Sequence, residues 1–83
     1  MAEITIYTSS LCVYCHRAKG LFDSKSVSYT EISVDGDSAI RQEMMQRAQQ
    51  RTVPQIFIND QHIGGCDDLY QLERAGKLDP MLA

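Results

Sequence analysis

The pattern of apolar residues predicts an α/β fold of order β-α-β-α-β-β-α, in which three helices cover a four-stranded mixed sheet. Three observations predict it. Runs rich in β-branched and aromatic residues lie at the start, middle and later part of the chain, segments with apolar residues at helical spacing separate them, and turn-forming residues mark the junctions. The opening strand–helix–strand unit calls for a right-handed crossover, which sets its two strands parallel. At 83 residues and 43% hydrophobic content, the chain is read as a single domain, residues 1–83, that buries roughly 60–65% of its unfolded surface.

Each element has its own warrant. Glu3-Ile4-Thr5-Ile6-Tyr7-Thr8 roughly alternates apolar and polar side chains and reads as a strand. Ser9 and Ser10 are turn and cap formers, and from Val13 to Ser26 the residues Ala18, Leu21 and Phe22 recur at helical spacing. A second strand follows within Val27 to Val34, centred on Tyr29-Thr30-Glu31-Ile32-Ser33-Val34. In the loop Asp35-Gly36-Asp37-Ser38, either Asp37 or Ser38 caps a second helix that runs to about Gln50, with Ile40, Met44 and Ala48 on one stripe. Gln55-Ile56-Phe57-Ile58 is a nearly continuous apolar strand, Asn59-Asp60 a two-residue hairpin turn, and Gln61-His62-Ile63 the returning strand. Gly64-Gly65 breaks it. A third helix from Asp67 to Ala75 then turns Leu69 and Leu72 inward and stops at Gly76.

Composition narrows the function classes. No apolar run approaches the ~20 residues of a membrane span, and Met1-Ala2-Glu3 leads into an acidic strand instead of a basic signal segment. The expectation is a soluble, cytoplasmic monomer. A formal charge of −3 argues against nucleic acid as a partner. Cys12, Cys15 and Cys66 are too few, and odd in number, for a disulfide framework. In a reducing compartment a C-x-x-C pair points to redox catalysis or metal binding. A zinc site would need Cys12, Cys15, Cys66 and His16 or His62, yet no second closely spaced pair exists, so no metal is expected.

The position of Cys12-Val13-Tyr14-Cys15, between a strand and a helix, favours redox chemistry. Cys12 falls at a helix N-terminus, where free backbone N–H groups and the helix dipole favour an anionic sulfur. Cys15 lies one turn further in and lacks that advantage. The expected roles follow: Cys12 attacks, and Cys15 resolves the mixed disulfide that forms.

Together, Cys12-x-Tyr14-Cys15, Thr52-Val53-Pro54 and Gly64-Gly65-Cys66-Asp67-Asp68 resemble the signature segments of the dithiol (class I) glutaredoxins, particularly the short bacterial ones. The resemblance spans essentially the whole chain. It implies a thioredoxin-like fold, glutathione as reducing co-substrate, and a cis bond before Pro54 that lies against the cysteines. It also implies glutathione contacts: Val53, flanked by Thr52 and Pro54, pairs with the cysteinyl part as a short strand, and Tyr14 walls the groove. Gly65 and the N–H groups of Cys66 and Asp67 hold the γ-glutamyl carboxylate, while Asp67, aided by Asp68, takes the ammonium group. Arg41, with Arg51 as second candidate, meets the glycyl carboxylate. Two departures stand out. Thr8 lies at or near a place where family members commonly carry lysine, and Val13 replaces the usual proline, restoring a backbone N–H beside Cys12.

The implied function is glutathione-dependent reduction of protein–glutathione mixed disulfides through Cys12, and of protein disulfides through Cys12 and Cys15 together. Its substrates would be glutathionylated or disulfide-containing proteins, ribonucleotide reductase among them. Two alternatives use the same residues differently. One is a hydrogen donor coupled to thioredoxin reductase; the other is an iron–sulfur carrier bridged through Cys12 and bound glutathione. Cys66 is expected to pack as a small apolar residue, although its helix-start position could also make it reactive.

Overall fold

The computed structural model describes residues 2–83. Its elements are β1 (Ile4–Thr8), α1 (Val13–Ser24), β2 (Thr30–Ser33), α2 (Ser38–Ala48), β3 (Gln55–Ile58), β4 (Gln61–Gly64), α3 (Cys66–Arg74) and α4 (Leu78–Leu82). The sheet order is β2-β1-β3-β4, with β1 parallel to β2, β1 antiparallel to β3, and β3 antiparallel to β4. This is the expected mixed sheet, with one helix more than expected.

That helix is α4. Its five residues hold Leu78 and Leu82 as buried positions, too short a span for periodicity to reveal. Pro80 lies in its first turn, where the missing N–H has no helical acceptor to satisfy. Other differences are shifts of an end. Ser26 and Gln49 adopt left-handed backbone, both with φ 57°, which stops α1 and α2 earlier than composition suggested. Asp37, rather than Ser38, caps α2 by accepting the N–H groups of Ala39 and Ile40, each at 3.1 Å. The turn between β3 and β4 places both Asn59 and Asp60 at positive φ, 50° and 65°, as a tight hairpin requires.

Period-two alternation divides the interior between the two faces of the sheet. Ile4, Ile6, Ile56 and Ile58 share a cluster with Ala18 and Phe22 of α1, Leu69 of α3, and Leu78 and Leu82 of α4. Tyr7 and Phe57 point the other way and pack with Val34, Met44 and Ala48 beneath α2. The central β3 is therefore buried on both faces, which explains its unbroken apolar sequence. Each such side chain contributes about 1.5–3 kcal/mol on burial. A polar clasp adds to the α2 side: the Tyr7 hydroxyl donates to Glu43 at 2.9 Å and accepts from Arg47 at 2.8 Å, while the Arg47 guanidinium lies 4.1 Å above Phe57. Burial, ahead of these partners, pushes the Tyr7 phenol up.

Candidate active site

The site assembles where β1 ends, α1 begins and β3 begins. The loop from Ser9 to Cys12 is gripped from the end of β2 by Asp35, whose carboxylate accepts the Ser9 hydroxyl at 2.7 Å and the Ser10 N–H at 2.8 Å. The Ser9 hydroxyl and Ser10 backbone hold the Asp35 carboxyl below the usual range. Cys12 N–H closes the turn onto the Ser9 carbonyl at 3.2 Å. The loop thus delivers Cys12 to the N-cap of α1 in extended conformation, φ −97° and ψ 109°.

The Cys12 sulfur itself supplies the cap. It accepts the Cys15 N–H at 3.1 Å and lies 3.6 Å from the Val53 carbonyl, toward which the thiol donates. Cys15 lies below it, fully buried. Burial first, and then hydrogen bonding with Cys12, push its thiol up to about 12. The sequence-derived asymmetry thus has a geometric counterpart: a partly exposed sulfur at a helix terminus above a buried one held protonated.

Opposite Cys12 is the Val53-Pro54 bond, which is cis. A groove of about 300 Å³ runs past it, lined by Tyr14, Gln50, Thr52, Val53, Pro54, Gly65, Cys66, Asp67 and Asp68. It brings together all the expected binding residues except Arg41 and Arg51, which are exposed outside the lining. Arg41 acts on Asp35 from the first turn of α2. Tyr14 is 55% exposed, with the Arg17 guanidinium 5.9 Å from its ring.

The α3 end of the groove depends on two glycines. Gly64 holds φ +118°, and a side chain there would collide with the Asp68 carboxylate. That carboxylate accepts the Gly65 N–H at 2.9 Å, so Asp68 is engaged within the backbone turn. Asp67, next to it, is exposed. Cys66 is buried, and burial pushes its thiol up.

Two features escaped the sequence. Gln50 lines the groove, but a lone glutamine at a helix end carries no pattern. Thr8, at or near the place where the sequence is expected to depart from the family, points into the protein: its hydroxyl donates to Glu31 at 2.7 Å, and Lys19 pairs with the same carboxylate oxygen at 2.9 Å. The Lys19 and Thr8 contacts hold the Glu31 carboxyl below its usual range. No group of metal-ligating residues occurs among the described residues.

A C-x-x-C pair at a helix N-terminus, set against the Val53-Pro54 turn beside a groove on a thioredoxin-like sheet, defines a thiol-disulfide oxidoreductase. The glutaredoxin family signature matches residues 4–63. The chain is 58% identical to Glutaredoxin 3 of Escherichia coli K12 over 82 residues, covering 99% of each, and 51% identical to a glutaredoxin of Pseudomonas aeruginosa over 83 residues, covering 100% of this chain and 99% of the other. Among solved structures it resembles a buckwheat glutaredoxin–glutathione complex, with TM-score 0.90, 40% identity and coverage of 98% of this chain and 76% of that one. A glutaredoxin from Brucella melitensis gives TM-score 0.87 at 48% identity, covering 99% and 89%. The chain belongs to the glutaredoxin family of glutathione-dependent thiol-disulfide oxidoreductases.

Proposed function

We propose that this protein, as one domain over residues 1–83, runs two routes through a single attacking sulfur. In the first, the Cys12 thiolate attacks the glutathione sulfur of a protein–glutathione mixed disulfide. A Cys12–glutathione bond forms, the old S–S bond breaks, and the protein leaves as thiolate and takes up a proton. A second glutathione thiolate then attacks the bound glutathione sulfur, releasing oxidised glutathione and restoring Cys12. In the second route Cys12 attacks a protein disulfide, and Cys15, losing its proton, displaces the substrate. Two glutathiones then reduce the Cys12–Cys15 bond.

The observation that carries this reading is the contrast between the two sulfurs: Cys12 is partly exposed and hydrogen-bonded by Cys15 N–H, while Cys15 is fully buried. Attack on an external disulfide belongs to the accessible sulfur. Resolution suits the other, within reach on the same turn.

Glutathione is assigned to the groove. The main chain of Val53, between Thr52 and Pro54, faces its cysteinyl unit, and Tyr14 bounds it on the α1 side. The N–H groups of Cys66 and Asp67, after Gly65, receive the γ-glutamyl carboxylate. Asp67 takes the ammonium; Asp68 supports it indirectly by fixing Gly65. Arg41 and Arg51 supply positive charge from outside the lining. Substrates are glutathionylated or disulfide-containing proteins of the cytoplasm, ribonucleotide reductase being one candidate, and the working form is a monomer. No helix among the described residues is long and apolar enough to cross a membrane.

The test is NADPH-linked, glutathione-coupled reduction of a glutathionylated substrate by wild type, Cys12→Ser and Cys15→Ser. Activity lost in the Cys12 variant and kept in the Cys15 variant is the expected result. A wild type inactive with glutathione but active with thioredoxin reductase would overturn the reading.

A further inference from the structure

Gln55 opens β3 with its side chain fully buried, and its partners form a directional chain. Its Nε2 lies 2.9 Å from the Thr52 carbonyl. A main-chain carbonyl only accepts, so the NH2 end of Gln55 must face it. The other proton of that NH2 group goes to Gln50 Oε1 at 2.9 Å, with Thr52 Oγ1 at 3.2 Å sharing it. Gln55 Oε1 is left facing His62 Nε2 at 2.8 Å. A buried amide oxygen needs a donor, so His62 must carry its proton on Nε2. At the far end, Gln50 has its oxygen turned inward. Both of its N–H donors are thereby left for the groove it lines.

The groove has use for them. Its charged lining residues are Asp67 and Asp68, both acidic, and no lysine or arginine lines it. An anionic tripeptide entering there must find its donors among neutral groups.

We infer that Gln50 donates an amide N–H to a carbonyl or carboxylate oxygen of the groove-bound tripeptide, and that buried Gln55 and His62 are positioning residues that fix which end of Gln50 faces it. This assignment rests on glutathione occupying the groove. Gln50→Glu separates donor from scaffold: a carboxylate still accepts from Gln55 but offers the ligand an anion in place of N–H. Gln50→Ala removes the group altogether.

The experiment is steady-state kinetics of wild type, Gln50→Glu and Gln50→Ala on a glutathionylated peptide, joined to nitrogen-15 NMR of the neutral His62 ring. For Gln50→Glu, KM should rise about tenfold with kcat within about twofold of wild type; for Gln50→Ala it should rise about threefold. The NMR should show a protonated Nε2 and a bare Nδ1 at His62, and the Gln50 side-chain amide signal should shift when glutathione is added to the Cys12→Ser protein. An unchanged KM in Gln50→Glu, or a His62 proton on Nδ1, would overturn the inference while leaving the glutathione assignment standing. A wild type that shows no saturation by the glutathionylated peptide would remove both.

Discussion

Two helices in this protein begin at a cysteine, Cys12 as the cap of α1 and Cys66 as the first residue of α3. Both sulfurs belong to residues at a helix N-terminus, and from sequence both could be called reactive. At α1 the sulfur stays outside the core and does the capping itself, accepting the Cys15 N–H. At α3 the cap position is Gly65, whose own N–H is satisfied by Asp68, and the Cys66 side chain joins the apolar cluster of Leu69, Leu78 and Leu82. Burial then raises its thiol despite an opposing contribution from Arg17. The difference teaches that a helix terminus offers stabilisation to an anion only where the side chain remains at the terminus. Desolvation outweighs the dipole once the sulfur turns inward.

The largest test of the contrast is Cys12→Ser. Glutathione-coupled turnover should fall on the order of 10⁴-fold, and a residual rate sustained by Cys66 would erase the distinction between the two ends. Next comes Gly64→Ala, which attacks the α3 end through its turn. Left-handed strain and the collision with Asp68 should lower unfolding free energy by about 2–3 kcal/mol in urea titration, with no comparable effect expected from Val13→Ala beside Cys12, whose side chain is 67% exposed.

The third concerns pH. The folded-state value of Cys15 is raised to about 12, above the roughly 8.5 of an unfolded cysteine. The protein therefore holds that proton where the unfolded chain releases it. The associated stability is complete below about pH 8.5 and is lost progressively toward pH 12, at up to about 1.4 kcal/mol per pH unit. Reduced wild type should show this alkaline decline in chemical denaturation, and Cys15→Ser should flatten it. The smallest effect is Cys66→Ala. Removing a buried sulfur should cost about 1 kcal/mol, read from the shift in denaturation midpoint, and iodoacetamide applied to the native protein near pH 7 should label Cys12 at least about tenfold faster than Cys66.

Much of the architecture was legible because the signals are local and periodic. Alternation in Ile4 to Tyr7, the Asn59-Asp60 turn and a cap at Asp37 or Ser38 each state their structure within a few residues. The site was legible at Cys12, Cys15 and Pro54 because the motif spacing is short and specific. What escaped depends on tertiary neighbours. Helix α4 exists because Leu78 and Leu82 find a cluster already built by α1 and α3, and five residues are too few to announce that. Gln50 is met by Gln55 from β3, which His62 in turn contacts from β4, and no linear pattern joins a glutamine to a histidine across a hairpin. The inward turn of Thr8 toward Glu31 is equally a matter of packing.

The Asp35 grip on the Ser9-Ser10 turn has a mechanical consequence. The segment that carries Cys12 is suspended between two anchors on different elements, the α1 helix behind it and the end of β2 beside it, so the sulfur can exchange bonds while its mounting stays still. Because the serine contacts lower the Asp35 carboxyl, this anchor is fully engaged above the usual aspartate range and lets go only as pH falls through the lower folded value. Acidification should thus protonate free carboxylates elsewhere on the surface before it slackens the mounting of the redox centre.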